Sequence, residues 1–445
     1  MATRVIIVRH GQSTYNAQKM IQGRCDESVL TEKGIADAKA VGQALKDVPV
    51  DAFFCSPLQR AKQTAEIIHG CLNSDVTLQP TQQLMEVDLP LWEKLRKDEV
   101  AVKYADDYRL WKEKPHEFKM VLPDGTEHYT VLALYEQAKQ FWQQKIKEYE
   151  GKTILITAHN GINRCLIMSA VGITPDRYHS IQQSNCCVNI LNFSGGFGDP
   201  VQIESLNQTS HLGIPIPSTR KPHAGPRLLL VRHGETQWNK ESRFQGIRDI
   251  PLNENGKAQG GKARDFLKNV PLDFAVSSSM SRPKETAEII LEAHPNVTLE
   301  TTSELIEICH GEWEGMLEAE IEAGFPGMLQ QWKDAPETVQ MPDGENLQQV
   351  WDRAIAAWDK IVAKYADSDS PRTGIVVAHD AINKVIICSL LGLQPANFWN
   401  IKQGNGAVTV IDYPKGASGK PVVQAINLTS HLSGGILDRT AAGAL

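Results

Sequence analysis

No apolar run in this chain approaches the ~20 residues that a bilayer-spanning helix needs, which sets a membrane-spanning role aside. Cysteine is sparse: 8 residues in 445, with no CxxC pair. That excludes a disulfide scaffold and zinc-ribbon spacing. HExxH and GxxxxGK[ST] are also missing, and with them the zincin and P-loop readings. There is no excess of positive charge, since 46 Lys and Arg face 53 Asp and Glu, a net charge of -7. A general nucleic-acid surface is therefore not expected. Any anion site must come from a few placed cations. The start, MATRVIIVRH, lacks the apolar stretch of a signal peptide. Together with the unpaired cysteines, this leads to the expectation of a cytoplasmic protein with no membrane or nucleic-acid partner.

What is present is a repeat, the first thing to seek in a chain of this length. VIIVRHGQSTYN (5–16) recurs as LLLVRHGETQWN (228–239), and SPLQRAKQTAEII (56–68) as SSMSRPKETAEII (278–290). LITAHNGIN (155–163) recurs as VVAHDAINK (376–384), and SLNQTSHL (205–212) as INLTSHL (426–432). Order and spacing are nearly constant, so the chain is read as two copies, 1–212 and 227–432. A linker rich in Pro, Gly and Ser/Thr (213–226) joins them, and a patternless tail (433–445) follows.

Each copy alternates short apolar runs with amphipathic stretches. In the first copy, strands are expected at 5–8, 51–56, 153–158 and 187–193. Helices are expected from Thr31 to Leu45, from Pro57 to Ile68, and after 158 to Val171. Strands alternating with helices imply α/β architecture: two tandem three-layer α/β/α domains, each with a mostly parallel sheet and a small cap insertion. Ligands of such sheets bind beyond the carboxyl ends of the strands. The RHG, SPLQR and TAH segments all lie there.

The residues gathered at that rim suit phosphomonoester chemistry. Arg9 and Arg60, with Arg232 and Arg282 in the second copy, can grip phosphate oxygens in planar forks. Asn16 and Asn239 can donate further hydrogen bonds. His10 and His233 are candidate nucleophiles, because a neutral imidazole attacks phosphorus without a metal. His159 and His379, kept protonated by the phosphate, would stabilise the transferring group. Glu86 and Glu307 would protonate the leaving oxygen and then activate water, a role served by a raised pKa.

These blocks, including EVDLPLWE and EICHGEWEG, resemble the histidine phosphatase (phosphoglycerate mutase-like) superfamily over both copies. The resemblance implies that the histidine of RHG is phosphorylated and that the other residues take the roles just given. It also implies that no metal and no organic cofactor takes part and that the partner is a small phosphorylated metabolite. Within that superfamily, IQGRCDESVLTEKG, AHNGIN and QQSNCCVNILNF are similar to plant phosphatases of 2-carboxy-D-arabinitol 1-phosphate. The alternatives are a phosphoglycerate mutase, a broad-range phosphatase acting on phosphoserine or other small esters, and a phospho-ligand-binding module with one inactive copy. The short cap, with few basic residues, favours hydrolysis over mutase chemistry. Arg109 and Lys112 are candidates to read a substrate carboxylate. Two departures separate the copies: Leu89-Pro90-Leu91-Trp92-Glu93 lacks the glycines of GEWEG, and Asp380-Ala381 replaces Asn160-Gly161. Neither removes a catalytic residue type, so two competent sites are expected.

Overall fold

The computed structural model describes residues 2–366 and 370–440; the last five residues of the expected tail, 441–445, lie outside them. The chain divides into two compact units, Met1–Ile214 and Pro215–Leu445.

In the first unit, the apolar run VIIV lies at the centre of β1 (Thr3–Arg9), and all four of its side chains are fully buried. A strand covered on both faces loses the polar alternation of a half-exposed one, so it reads as a continuous apolar run. The other strands are β2 (Ala52–Cys55), β3 (Leu78–Pro80), β4 (Thr153–Ala158), β5 (Val188–Phe193) and β6 (Val201–Gln208). Their order across the sheet is β6-β5-β1-β4-β2-β3. Strands β1, β4, β2 and β3 run parallel, with Arg9 opposite Ala158 at their carboxyl ends. Strand β5 returns antiparallel to β1, and β6 is antiparallel to β5. The mostly parallel α/β sheet is thus as expected, while 187–193 is an antiparallel member and β3 and β6 were not anticipated. Helices Glu32–Leu45 and Gln59–His69 pack as one pair, and Thr130–Lys145 and Asn160–Val171 as another.

Two helix starts are informative. Thr31 caps the first helix by accepting from the Gly34 N–H at 3.1 Å, as its position predicted. Pro57, expected in a first turn, instead precedes one. That helix begins at Gln59, whose N–H is capped from outside by the Asp26 carboxylate at 2.7 Å.

The second unit repeats the arrangement. Its strands are β7 (Arg227–Arg232), β8 (Phe274–Ser278), β9 (Leu299–Thr302), β10 (Thr373–Ala378), β11 (Val408–Asp412) and β12 (Val422–Leu428). They are ordered β9-β8-β10-β7-β11-β12. Leu229, Val231, Ile375 and Val377 meet Ala263, Leu267, Ala287 and Ile290 in its core.

The caps are small. In the first unit, helices Lys97–Lys103 and Ala105–Glu113 close over Trp92, which stacks on Phe118 (centroids 4.9 Å) and meets Trp111 edge-on. Trp92 and Trp313 are both buried, although the loops around them differ. Gly311 and Gly315 have positive φ in the second copy. In the first, Lys94 takes a left-handed conformation, φ 67°, without glycine's freedom. Arg109 and Lys112 do not face inward. Trp111 claims the buried side of their helix, leaving Arg109 exposed against Asp106 (3.0 Å) and Lys112 over the Tyr108 ring. Arg96 is likewise exposed and paired, with Asp98. Among the described residues, no helix is long and apolar enough to cross a membrane.

The glycine of each RHG is required by close packing. A Cβ on Gly11 would lie 2.4 Å from the Gly34 carbonyl oxygen, and one on Gly34 would lie 2.2 Å from the Gln12 carbonyl oxygen. Gly234 and Gly256 repeat this contact at 2.3 and 2.0 Å. Backbone cannot yield as a flexible side chain can. Gly34→Ala and Gly256→Ala are therefore expected to cost about 1–3 kcal/mol each by overpacking. Gly70→Ala, whose added carbon meets nothing closer than 3.5 Å, is expected to change stability by less than ~0.5 kcal/mol. Thermal melts of the three variants check this.

Candidate active site

β1 ends at Arg9, so His10 is the first residue beyond it, its N–H still bonded to the Ala158 carbonyl (2.9 Å), and His159 follows the neighbouring strand β4. Their rings meet at 5.1 Å between centroids, with planes 62° apart. His10 Nδ1 lies 2.7 Å from the Gly11 carbonyl oxygen. A carbonyl only accepts, so Nδ1 carries the proton and Nε2 keeps its lone pair. His159 Nε2 is 2.7 Å from the Ser56 hydroxyl. The second copy reproduces the pair: His233 Nδ1 to the Gly234 oxygen at 2.7 Å, His379 Nε2 to Ser278 at 2.9 Å, and rings 5.3 Å apart. There Arg282 Nε also donates to His233 Nε2 at 3.3 Å, consistent with the same tautomer.

The arginines are held by main-chain carbonyls. Arg9 donates to Gln183 (2.8 Å), and Arg60 to Cys25 and Gly23 (both 2.9 Å). Arg232 donates to Gln403 (2.5 Å), and Arg282 to Arg248 and Gly246 (both 2.8 Å). In the first copy, Arg9 Nε, Arg60 Nε and His159 Nδ1 are buried with no partner. Such groups are costly unless something accepts from them, and an oxyanion would. Asn16 is fixed through its oxygen, which accepts from the Ser13 N–H and Asn185 Nδ2. Asn239 is fixed in the same way by Thr236 and Asn405.

Glu86 lies at the amino end of the helix that follows His159. Its oxygens accept from the N–H groups of Val87 (2.8 Å), Gly161 (3.0 Å) and Ile162 (3.2 Å). Glu307 accepts from Ile308 (3.0 Å) and Ala381 (3.4 Å). Burial, and then the charge of Asp380, push the Glu307 pKa up. The structure therefore gathers His10, His159, Arg9, Arg60, Asn16 and Glu86 at one place, and their six counterparts at another. Sequence reasoning missed Asn185 and Asn405, which brace the carbonyls of His10 and His233 (3.0 and 3.2 Å), and Ser56 and Ser278 behind the second histidine. Their signal was present: each recurs at the matching place in both copies. Among the described residues, no group of three or more His, Cys, Asp or Glu side chains could hold a metal ion.

Burial holds all four histidines well below the ordinary imidazole pKa. The Arg9 and Arg60 charges add to this at His10, and Arg60, His10 and Arg9 at His159. Arg282 and Arg232 add to it in the second copy. Arg282 itself is lowered by burial to about 10 and so stays charged at neutral pH. The folded pKa values lie below the unfolded value of ~6.5, so the unfolded chain binds more protons between the two. Stability is then complete above that value and is lost as pH falls below it, by up to ~1.4 kcal/mol per pH unit for each histidine. Melting temperature is expected to drop between about pH 7.5 and 5.5. His10→Asn and His233→Asn, which cannot titrate there, should flatten the dependence.

The family model described as "Histidine phosphatase superfamily (branch 1)" matches residues 5–207 and again 228–429. A 2-carboxy-D-arabinitol-1-phosphatase of Triticum aestivum is 32% identical over 97% of this chain and 87% of its own length. Phosphoserine phosphatase 1 of Hydrogenobacter thermophilus is 32% identical over 46% of this chain and 94% of its own. Among solved structures, Bacillus stearothermophilus YhfR is 29% identical, covering 46% of this chain and 99% of that one, at a TM-score of 0.43. With both copies matched and each holding paired histidines and arginines at its strand ends, the chain belongs to the histidine phosphatase superfamily, as a tandem duplicate.

Proposed function

We propose that both copies hydrolyse small phosphomonoesters through a phosphohistidine, and that the first acts on a carboxylated sugar phosphate of the 2-carboxy-D-arabinitol 1-phosphate class. One observation carries the mechanism: in each copy, an imidazole tied through Nδ1 to the next carbonyl lies buried among two guanidiniums and a second imidazole. The substrate class is supported by the wheat protein, whose name states that activity and which matches nearly the whole chain.

The geometry supports the following steps. Arg9, Arg60 and Asn16 hold the phosphoryl oxygens, and the dianion supplies the charge that lets His159 take a proton. The His10 Nε2 lone pair attacks phosphorus as the ester P–O bond breaks. Glu86 delivers its proton to the departing oxygen. Glu86, now a carboxylate, takes a proton from water, and that water displaces His10 from phosphorus. Phosphate leaves, and His10 is again neutral with Nδ1–H on Gly11. His233, Arg232, Arg282, Asn239, His379 and Glu307 perform the same steps in the second copy. A mutase would instead need a bisphosphate primer.

The test is phosphate release from 2-carboxy-D-arabinitol 1-phosphate, 3-phosphoglycerate, phosphoserine and p-nitrophenyl phosphate, without primer. His10→Ala and His233→Ala should each remove part of the activity. The double variant should lose about a thousandfold or more. An acid-labile, alkali-stable phosphoenzyme should be trapped in wild type and absent from the double variant. Primer-dependent turnover, or activity persisting in the double variant, would overturn the proposal.

A further inference from the structure

The catalytic groups of the two copies match one for one, but the wall beside the acid does not. In the first copy, that wall is built on Arg164, one turn into the helix whose first N–H groups hold Glu86. Arg164 is 6% exposed, and its Nε is buried with no partner. Its Nη2 donates to Gln182 at 3.1 Å, its Nη1 lies 3.4 Å from His179 Nδ1, and its guanidinium lies 5.3 Å from the Tyr178 ring centre. His179 Nε2 donates to the Trp111 carbonyl at 2.8 Å, so Nδ1 is the acceptor facing Arg164. Among the described residues, no carboxylate lies within ion-pair distance of this buried cation, which feels Tyr178 and, at longer range, the charge of Glu86. The wall adjoins the acid: a Cβ on Gly161 would fall 2.4 Å from Glu86 Oε1 and 2.5 Å from the Tyr178 hydroxyl.

In the second copy, the same places carry Lys384, Phe398, Trp399 and Lys402. Lys384 is neutralised by Asp380 at 2.8 Å, and Asp380 also reaches Arg232 at 3.4 Å. Its ammonium lies 4.5 Å from the Trp399 ring centre and 5.0 Å from that of Phe398. Trp399 keeps the link to the cap, donating to the Trp332 carbonyl at 2.8 Å, but offers no second polar atom. Lys402 is paired with Asp438 at 3.2 Å. The first copy thus has a polar wall whose arginine makes no ion pair, and the second copy an aromatic one whose charges are internally matched.

The acid protonates the departing oxygen, so the alcohol part of the ester lies toward this wall. We propose that the first copy selects phosphomonoesters whose alcohol part carries a carboxylate, with Arg164 reading that carboxylate. The second copy takes esters whose alcohol part is uncharged. This rests on the hydrolytic reading above. A buried guanidinium with unused donors gains more from a carboxylate than from a hydroxyl.

The test uses the full chain with one site silenced, His233→Ala to observe the first copy and His10→Ala to observe the second. The readout is the ratio of kcat/KM for 3-phosphoglycerate to that for glycerol 3-phosphate, which has a hydroxymethyl group in place of the carboxylate. In the first copy the ratio should exceed about ten; in the second it should be near or below one. Arg164→Met should collapse the first copy's ratio about tenfold or more, and Arg164→Lys should restore part of it. His179→Trp, which keeps a donor for the Trp111 carbonyl, should also lower the ratio and serves if Arg164→Met does not fold. A ratio near one in the first copy would overturn the inference. So would an Arg164→Met effect of equal size on both esters, which would mark a purely structural role. Loss of turnover on every ester, p-nitrophenyl phosphate included, in both silenced proteins would overturn the hydrolytic reading itself and this inference with it.

Discussion

Two guanidiniums and two imidazoles crowded into one buried site are the constraint from which the rest of each copy follows. Like charges brought out of water repel one another, and burial disfavours each charge separately. The protein answers mainly with carbonyl dipoles, to which the second copy adds one carboxylate, Asp380, at 3.4 Å from Arg232. Gln183, Cys25 and Gly23 turn their oxygens onto Arg9 and Arg60, and Gln403, Arg248 and Gly246 onto Arg232 and Arg282. A carbonyl offsets desolvation without cancelling the charge, so the cations remain available to an anion. The histidines give way instead, becoming neutral, which leaves Nε2 of His10 and of His233 with its lone pair. The loops that supply these oxygens must then come close, and the glycine-to-backbone contact between the RHG turn and the next helix brings one of them in.

The loop bearing the acid shows how one requirement is met by two routes. In the second copy, Arg353 reaches from the helix Leu347–Ala366 to the carbonyls of Ile306 (2.6 Å) and Glu307 (2.9 Å), itself held by Glu345. In the first copy, the matching residue on the helix is Gln137, which donates to Gln83 and Met85. Arg24, from the loop after RHG, covers the Glu86 carbonyl at 3.1 Å and joins Gln137 at 3.0 Å. The same division explains how Leu89-Pro90-Leu91 can stand in for a glycine-rich turn. Trp92 and Glu93 keep their places, with Glu93 accepting from the Arg24 N–H at 2.6 Å much as Glu314 accepts from Ile247 at 2.9 Å.

How much was legible in the sequence depended on whether a property is carried by residue type or by direction. The central strands were readable because burial on both faces demands an apolar run, as in VIIV and TILITA. β3 was not, because a three-residue strand reading LQP leaves no pattern to detect. β6 was missed because VQIESLNQ buries polar side chains such as Glu204 and Asn207, which only their partners justify. Pro57 was misplaced because Asp26, distant in sequence, sets the start of the next helix. At the site, histidines and arginines stood out because each appeared twice in the same order. Asn185 and Ser56 did not, since their work is to hold other groups. Arg109 and Lys112 illustrate the opposite error: charge was visible, but facing was decided by Trp111.

Where the copies differ, the differences come in sets that make physical sense together. Replacing Arg164 by a lysine alone would leave a buried ammonium among Tyr178, His179 and Gln182, with fewer donors to satisfy its surroundings. The second copy changes the whole shell at once: an acid at 380 for the charge, and two aromatic faces at 398 and 399 for the stem and the ammonium. That acid also lies close enough to Glu307 to raise its pKa, while Arg232 keeps a partner in Asp380. Substituting the wall therefore reaches Glu307 and Arg232 through one carboxylate. In each copy the helix that follows the second histidine thus holds the buried glutamate with its first N–H groups and carries the differing wall one turn further on.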